Sequence, residues 1–80
     1  MPTILNLNGF RFIIWPADHE PAHVHIFRGN GEAKIWLGDK EQKPSLARID
    51  GMTRQEIRKA WEMTAENQVL LLESWERIHG

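Results

Sequence analysis

Two short runs of alternating polarity constrain the middle of this chain more than any other feature. Val24 and Ile26 alternate with His23, His25 and Phe27, and Ala33, Ile35 and Leu37 alternate with Glu32, Lys34 and Trp36. A period of two marks a strand with one buried face. Between the runs lies Arg28-Gly29-Asn30-Gly31. Asn-Gly supplies the positive φ angles of a type I′ turn, so the two runs predict a hairpin that reverses at Asn30-Gly31. A slip of one residue would turn every apolar side chain outward, which leaves only even-parity registers. In any of these, Ala33, Ile35 and Leu37 join Val24 and Ile26 on the core side, and His23, His25 and Phe27 share the other side with Glu32, Lys34 and Trp36.

The flanking segments are read the same way. Phe10-Arg11-Phe12-Ile13-Ile14-Trp15 is rich in aromatic and β-branched residues, follows Asn8-Gly9 and stops at Pro16, which predicts a strand between breakers. Residues 38–51 carry the glycines, charges and proline of a connecting loop, with a short strand over Leu46 to Ile49. Thr53-Arg54-Gln55-Glu56 fits a capping box, with Met52 and Ile57 placed as a hydrophobic staple. The helix that starts there puts Ile57, Ala60, Trp61, Thr64, Gln68, Leu71, Leu72, Trp75 and Ile78 on one stripe. Run unbroken from residue 53 to 78 it would be about 39 Å long and must overhang the sheet or kink. Met63 and Leu70 lie off the stripe, where they would add to a protein interface. The fold class expected is α+β: a short antiparallel sheet of three to four strands packed against one long C-terminal helix.

Composition narrows the chemistry. Eighty residues are enough for one domain, 1–80, with most apolar side chains committed to one core. No cysteine is present, so disulfides, thiolate metal sites and thiol nucleophiles are excluded and any metal must take nitrogen and oxygen ligands. The formal net charge is -1, which disfavours non-specific nucleic-acid binding. The N-terminus lacks the pattern of a secretory signal, and apolar runs such as Val69 to Leu72 fall far short of the roughly 20 residues that cross a bilayer. A cytoplasmic protein with no membrane partner is expected.

The concentrated chemistry is in Asp18-His19-Glu20-Pro21-Ala22-His23-Val24-His25. Three of the four histidines fall within seven residues, and His-x-His on a strand places two imidazoles on one face. Such a pair can converge on zinc or a related divalent ion, with His19, Asp18 or Glu20 as the third ligand and an open position for water. His19, His23 and His25 are the metal ligands expected. Without a metal, His23 and His25 can serve as general base and acid in phosphodiester cleavage, with Lys34 assisting and Arg28 or Lys34 holding the phosphate. A third reading makes the histidines ordinary strand residues, stacked on Trp36 or Phe27 and hydrogen-bonded to Glu32 or the backbone. His79, at the end of the helix, carries no expected role. Thr64 and Gln68 interrupt the helix stripe and are read as an internally satisfied polar pair.

Longer stretches carry a resemblance. Met1-Pro2-Thr3-Ile4, Gly9-Phe10-Arg11-Phe12, Asp18 to Ile26, Gly31-Glu32-Ala33-Lys34-Ile35-Trp36-Leu37 and a terminal helix ending in a Trp before Gly80 together resemble the small bacterial family called domain of unknown function 4160. The chain has Pro21-Ala22-His23 where that family usually has Pro-Pro-His, and Ile35 where it has Phe. The resemblance implies a small bacterial protein, encoded beside another small gene in arrangements similar to toxin–antitoxin modules. It therefore implies a small protein partner and action through contact, with self-association through the long helix as a further expectation. The alternative in another class is a metal-dependent or histidine-based phosphodiesterase or ribonuclease built on His19, His23 and His25.

Overall fold

The computed structural model describes residues 3–80 and is α+β. Its elements are β1 (Thr3–Leu7), β2 (Phe10–Ile13), β3 (His23–Arg28), β4 (Gly31–Trp36), β5 (Ser45–Asp50), α1 (Arg54–Glu66) and α2 (Gln68–His79). The sheet is an antiparallel meander in the order β1-β2-β3-β4-β5, every strand pairing with its neighbour in sequence. Met1 and Pro2, part of the resemblance, lie outside the described residues.

The central hairpin takes the register that its alternation requires. Val24 pairs with Ile35 and Ile26 with Ala33, while His23 pairs with Trp36, His25 with Lys34 and Phe27 with Glu32. The turn is one residue away from the expected place. Arg28 pairs with Gly31, so the reversal is Gly29-Asn30, and only Gly29 has positive φ, at 57°. Glycine first and an ordinary residue second is the pattern of a type II′ turn. The Asn-Gly turn with both residues at positive φ is Asn8-Gly9, at 50° and 83°, which joins β1 to β2.

Five strands replace the three to four expected. β1 escaped because Thr3-Ile4-Leu5-Asn6-Leu7 does not alternate cleanly, and a register shift between Thr3 and Leu5 shows why. β5 pairs with β4 through Lys34 and Arg48, then Ile35 and Leu46, leaving Ala47 unmatched. That bulge puts Leu46 and Ile49 on the core side of an edge strand and disfavours further strand pairing there.

The single long helix is two helices, interrupted at Asn67, where φ is -111° and ψ is 20°. Asparagine competes for backbone partners, and here Asn67 Nδ2 donates to the Met63 carbonyl at 2.8 Å. The next residue fixes the position of the break. Gln68 Nε2 is shared among the carbonyls of Leu37 at 2.6 Å, Gln42 at 2.8 Å and Asp39 at 3.1 Å, tying the β4–β5 loop to the start of α2. The interruption also resolves the length problem, since the largest dimension of the molecule is 33 Å. Thr64 is satisfied internally, its hydroxyl donating to the Ala60 carbonyl at 2.8 Å.

The core joins Phe10, Phe12, Ile14, Val24, Ile26, Ala33, Ile35 and Leu37 of the sheet side to Ala60, Met63, Leu71 and Trp75 of the helices. Met63 therefore faces inward, contrary to the wheel, because the buried arc of α1 is centred on Ala60, Met63 and Thr64. Leu70 is exposed as expected, beside the more exposed Val69.

Candidate metal centre

The site forms where the β2–β3 connection folds back over the outer face of the sheet. Trp15 to Asp18 makes a tight turn with Pro16 at its second position, where the fixed φ of proline suits the bend. The Asp18 amide donates to the Trp15 carbonyl at 3.0 Å, and the Trp15 amide donates to Asp18 Oδ2 at 3.1 Å. This reciprocal pair directs the carboxylate toward β3. The chain then passes a cis Glu20–Pro21 peptide and enters β3 at His23.

Asp18, His23 and His25 each present one donor atom, all within 4.8 Å of one another. His23 Nε2 and His25 Nε2 each lie 3.4 Å from the same oxygen, Asp18 Oδ2. The far nitrogens explain what this convergence means. His23 Nδ1 is 2.9 Å from the Pro21 carbonyl, and His25 Nδ1 is 3.3 Å from Glu32 Oε2. A carbonyl and a carboxylate only accept, so each Nδ1 is the donor, and in the neutral tautomer that this selects each Nε2 is the lone-pair atom facing Asp18. In that tautomer the two nitrogens and the carboxylate oxygen are three Lewis bases converging on one place. His25 Nε2 is in addition a buried nitrogen with no hydrogen-bond partner among the described residues. Donors held about 2.0–2.1 Å from one ion in tetrahedral positions lie about 3.3–3.4 Å apart, which is the spacing of each Nε2 from Asp18 Oδ2. An outer hydrogen bond from the far nitrogen to a carbonyl or carboxylate is also the usual way a ligating histidine is oriented. The residues fit a divalent ion with nitrogen and oxygen preference.

The surroundings hold these rings in place. His23 is 4 % exposed and packs edge-on against His25, with ring centroids 5.1 Å apart, against Trp36 at 5.6 Å and, tilted, against Trp75 of α2 at 5.2 Å. Lys34 Nζ sits 4.7 Å from the Trp36 ring centre. Glu32 Oε2 is shared with Arg48, 3.5 Å away. The register sets His25, Lys34 and Arg48 side by side across three strands, so two cations follow the ligand outward toward the sheet edge. A shallow cleft of about 350 Å³ opens over the trio, with His19, Lys34, Trp36 and Arg48 on its walls.

The sequence-level assignment needs two adjustments. His19 is exposed in the cleft wall and is not among the converging donors, whose third member is Asp18, because the turn locks the Asp18 carboxylate inward. Arg28 is not brought to the cleft. By parity it lies on the Val24 and Ile26 side of β3, where Nη1 donates to the Asn8 carbonyl at 2.7 Å, Nε pairs with Glu56 at 3.3 Å and the guanidinium covers Phe10. Lys34 is present, and Arg48 is the second cation, which sequence reading missed. Its signal was the pairing of β5 with β4, invisible until the bulge at Ala47 sets the register. His79 stacks on Trp75 with centroids 3.8 Å apart, and its two ring nitrogens face the Trp75 and Trp15 carbonyls, each at 3.2 Å.

Comparison with known proteins gives a match at the level of family. No curated protein and no solved structure matches this chain. Among the described residues no helix is long and apolar enough to cross a membrane. The sequence profile of the family described as Domain of unknown function (DUF4160) matches residues 9–76, nearly the whole chain, and the protein belongs to that family.

Proposed function

We propose that this protein is a divalent-metal hydrolase acting on phosphoesters, with Asp18, His23 and His25 as the protein ligands. The observation that carries the reading is the pair of 3.4 Å approaches of two Nε2 atoms to one carboxylate oxygen, with both Nδ1 atoms already committed. An ion held by three protein ligands keeps a position for water, acidifies that water and polarises a phosphoryl oxygen. The chain's own residues do the rest. Lys34 and Arg48 attract and orient the anionic group over the trio, and Glu32 fixes the His25 ring while tethering Arg48. Zinc, manganese, iron, cobalt and nickel all suit a donor set of two imidazoles and one carboxylate.

The test is metal content by mass spectrometry of untagged protein purified without chelator, alongside hydrolysis of bis(4-nitrophenyl) phosphate. Near-stoichiometric metal is expected in the natural chain, and loss of both metal and turnover in folded Asp18→Ala and His25→Ala variants. A metal-free natural chain that takes up no ion on dialysis against zinc would sink the reading.

A contact role in a two-gene module is the second reading, favoured by the adjacent exposed pair Val69 and Leu70 on α2, 68 % and 39 % accessible. That surface is separate from the metal cleft, so the two roles are compatible. Co-purification with the product of the adjacent gene, abolished by Leu70→Glu, is the expected result. Self-association through the same residues is checked by light scattering of the isolated chain.

A further inference from the structure

A second and larger cleft, of about 580 Å³, adjoins the metal cleft, and Glu20 and Trp36 line both. Their chemistry differs. The metal cleft carries Lys34 and Arg48 beside the ligand trio, whereas the second has Pro21, Ala22, Leu72 and Trp75 as apolar and aromatic surface. Its ionisable groups are Glu20, Asp39 and Glu76 against Lys43, three carboxylates to one ammonium. A volume within the roughly 300–1,000 Å³ of ligand pockets is sufficient for a planar ring system.

We infer that the substrate is a nucleotide unit of a single-stranded polynucleotide, its phosphodiester over Asp18, His23 and His25 and its base in the second cleft against Trp36. This rests on the hydrolytic reading for the reaction, but the base cleft stands on its own geometry. The distribution of charge assigns the two halves. An anionic group is drawn to Lys34 and Arg48, whereas Asp39 and Glu76, which line only the larger cleft, outnumber Lys43 there and disfavour a second phosphate. The same carboxylates can accept hydrogen bonds from the exocyclic amino groups of adenine, guanine and cytosine, which a lipid tail lacks. Apolar and indole surface supplies a stacking platform, the sequence-tolerant component of single-strand recognition. A duplex does not fit the arrangement, because its bases are stacked and paired. The net charge of -1 is consistent with recognition of one base and one phosphate rather than a long polyanionic track. In the reaction, water oxygen bonds to phosphorus, the bond from phosphorus to the departing ester oxygen breaks, and the proton from water ends on that oxygen. The products are a phosphomonoester and an alcohol.

The experiment compares adenosine 5′-phosphate with methyl phosphate by calorimetry on the full chain, with and without zinc. Adenosine 5′-phosphate is expected to bind about tenfold more tightly, and that ratio to fall toward one in Ser45→Leu, which fills the exposed rim of the second cleft, and in Trp36→Leu. Equal affinity of the natural chain for both ligands overturns the base cleft, even if bis(4-nitrophenyl) phosphate is hydrolysed. A tenfold preference in a protein that hydrolyses nothing upholds the base cleft and removes the hydrolytic reading instead. Ribose against deoxyribose forms of the nucleotide then separate RNA from DNA.

Discussion

At the scale of single residues, Glu32 connects the parts of the site. One carboxylate oxygen meets both His25 Nδ1 and Arg48, so it orients the imidazole and restrains the guanidinium together. Glu32→Gln keeps the size of the side chain but removes the charge, and zinc affinity is expected to fall about 10- to 100-fold, measured by competition with a chromophoric chelator. His19→Ala is expected to leave zinc affinity unchanged in the same assay; a loss as large as that of Asp18→Ala would restore His19 to the ligand set. The contrast shows how far residue types alone could go. Three histidines within seven residues pointed to the segment that holds the cluster, and parity put His23 and His25 on one face with Glu32, Lys34 and Trp36. Whether Asp18 or His19 completed the trio depended on the Trp15–Asp18 turn, whose reciprocal hydrogen bonds have no periodic signature. Arg28 was misplaced for a simpler reason: it has the parity of Val24 and belongs to the opposite face.

At the scale of elements, the start of α1 behaves as its four-residue signature predicts. The Thr53 amide donates to Glu56 Oε1 at 2.9 Å and the Glu56 amide to the Thr53 hydroxyl at 3.1 Å. The backbone hydrogen bond from Thr53 holds the Glu56 carboxyl below its ordinary range; desolvation opposes this, and the Thr53 hydroxyl and Arg28 guanidinium reinforce it. A carboxyl lowered in the folded state contributes stability that is present above its unfolded pKa and lost as pH falls through the folded one. Acidification below the ordinary carboxylate range should therefore loosen the first turn of α1 in the natural chain, with Glu56→Gln lacking that component, as read by amide exchange at Gln55 to Ile57. Thr53→Ala is expected to cost about 1 kcal/mol in urea denaturation at neutral pH. Gln68→Leu should cost about 1–3 kcal/mol, because the Leu37, Asp39 and Gln42 carbonyls lose a common donor. An unchanged midpoint in Gln68→Leu would show that this anchor contributes nothing. The helix break was less legible than the cap: Asn67 has modest helix propensity, but only the loop carbonyls around Gln68 reveal why the interruption falls there.

At the scale of the whole molecule, the proposed metal binding would be linked to folding. Zinc at 100 times its dissociation constant is expected to stabilise the folded chain by about 2.7 kcal/mol, on the order of 10 °C in Tm for a domain of this size. Differential scanning calorimetry should show that rise in the natural chain and none in Asp18→Ala. The benefit should fade on acidification as protons compete for the imidazole nitrogens.

The meander adds a consequence for biosynthesis. Each strand pairs with the one before it, so the sheet can form from its N-terminal strand onward in order of synthesis, at low loop-closure cost. Asp18, His23 and His25 are made within eight residues of one another, and Glu32 follows on the next strand. Trp75, the wall behind His23, is made 52 residues after it. A nascent chain would thus bring Asp18, His23 and His25 together well before the indole that backs His23, and on the metal-binding reading an ion would be taken up before the core closes.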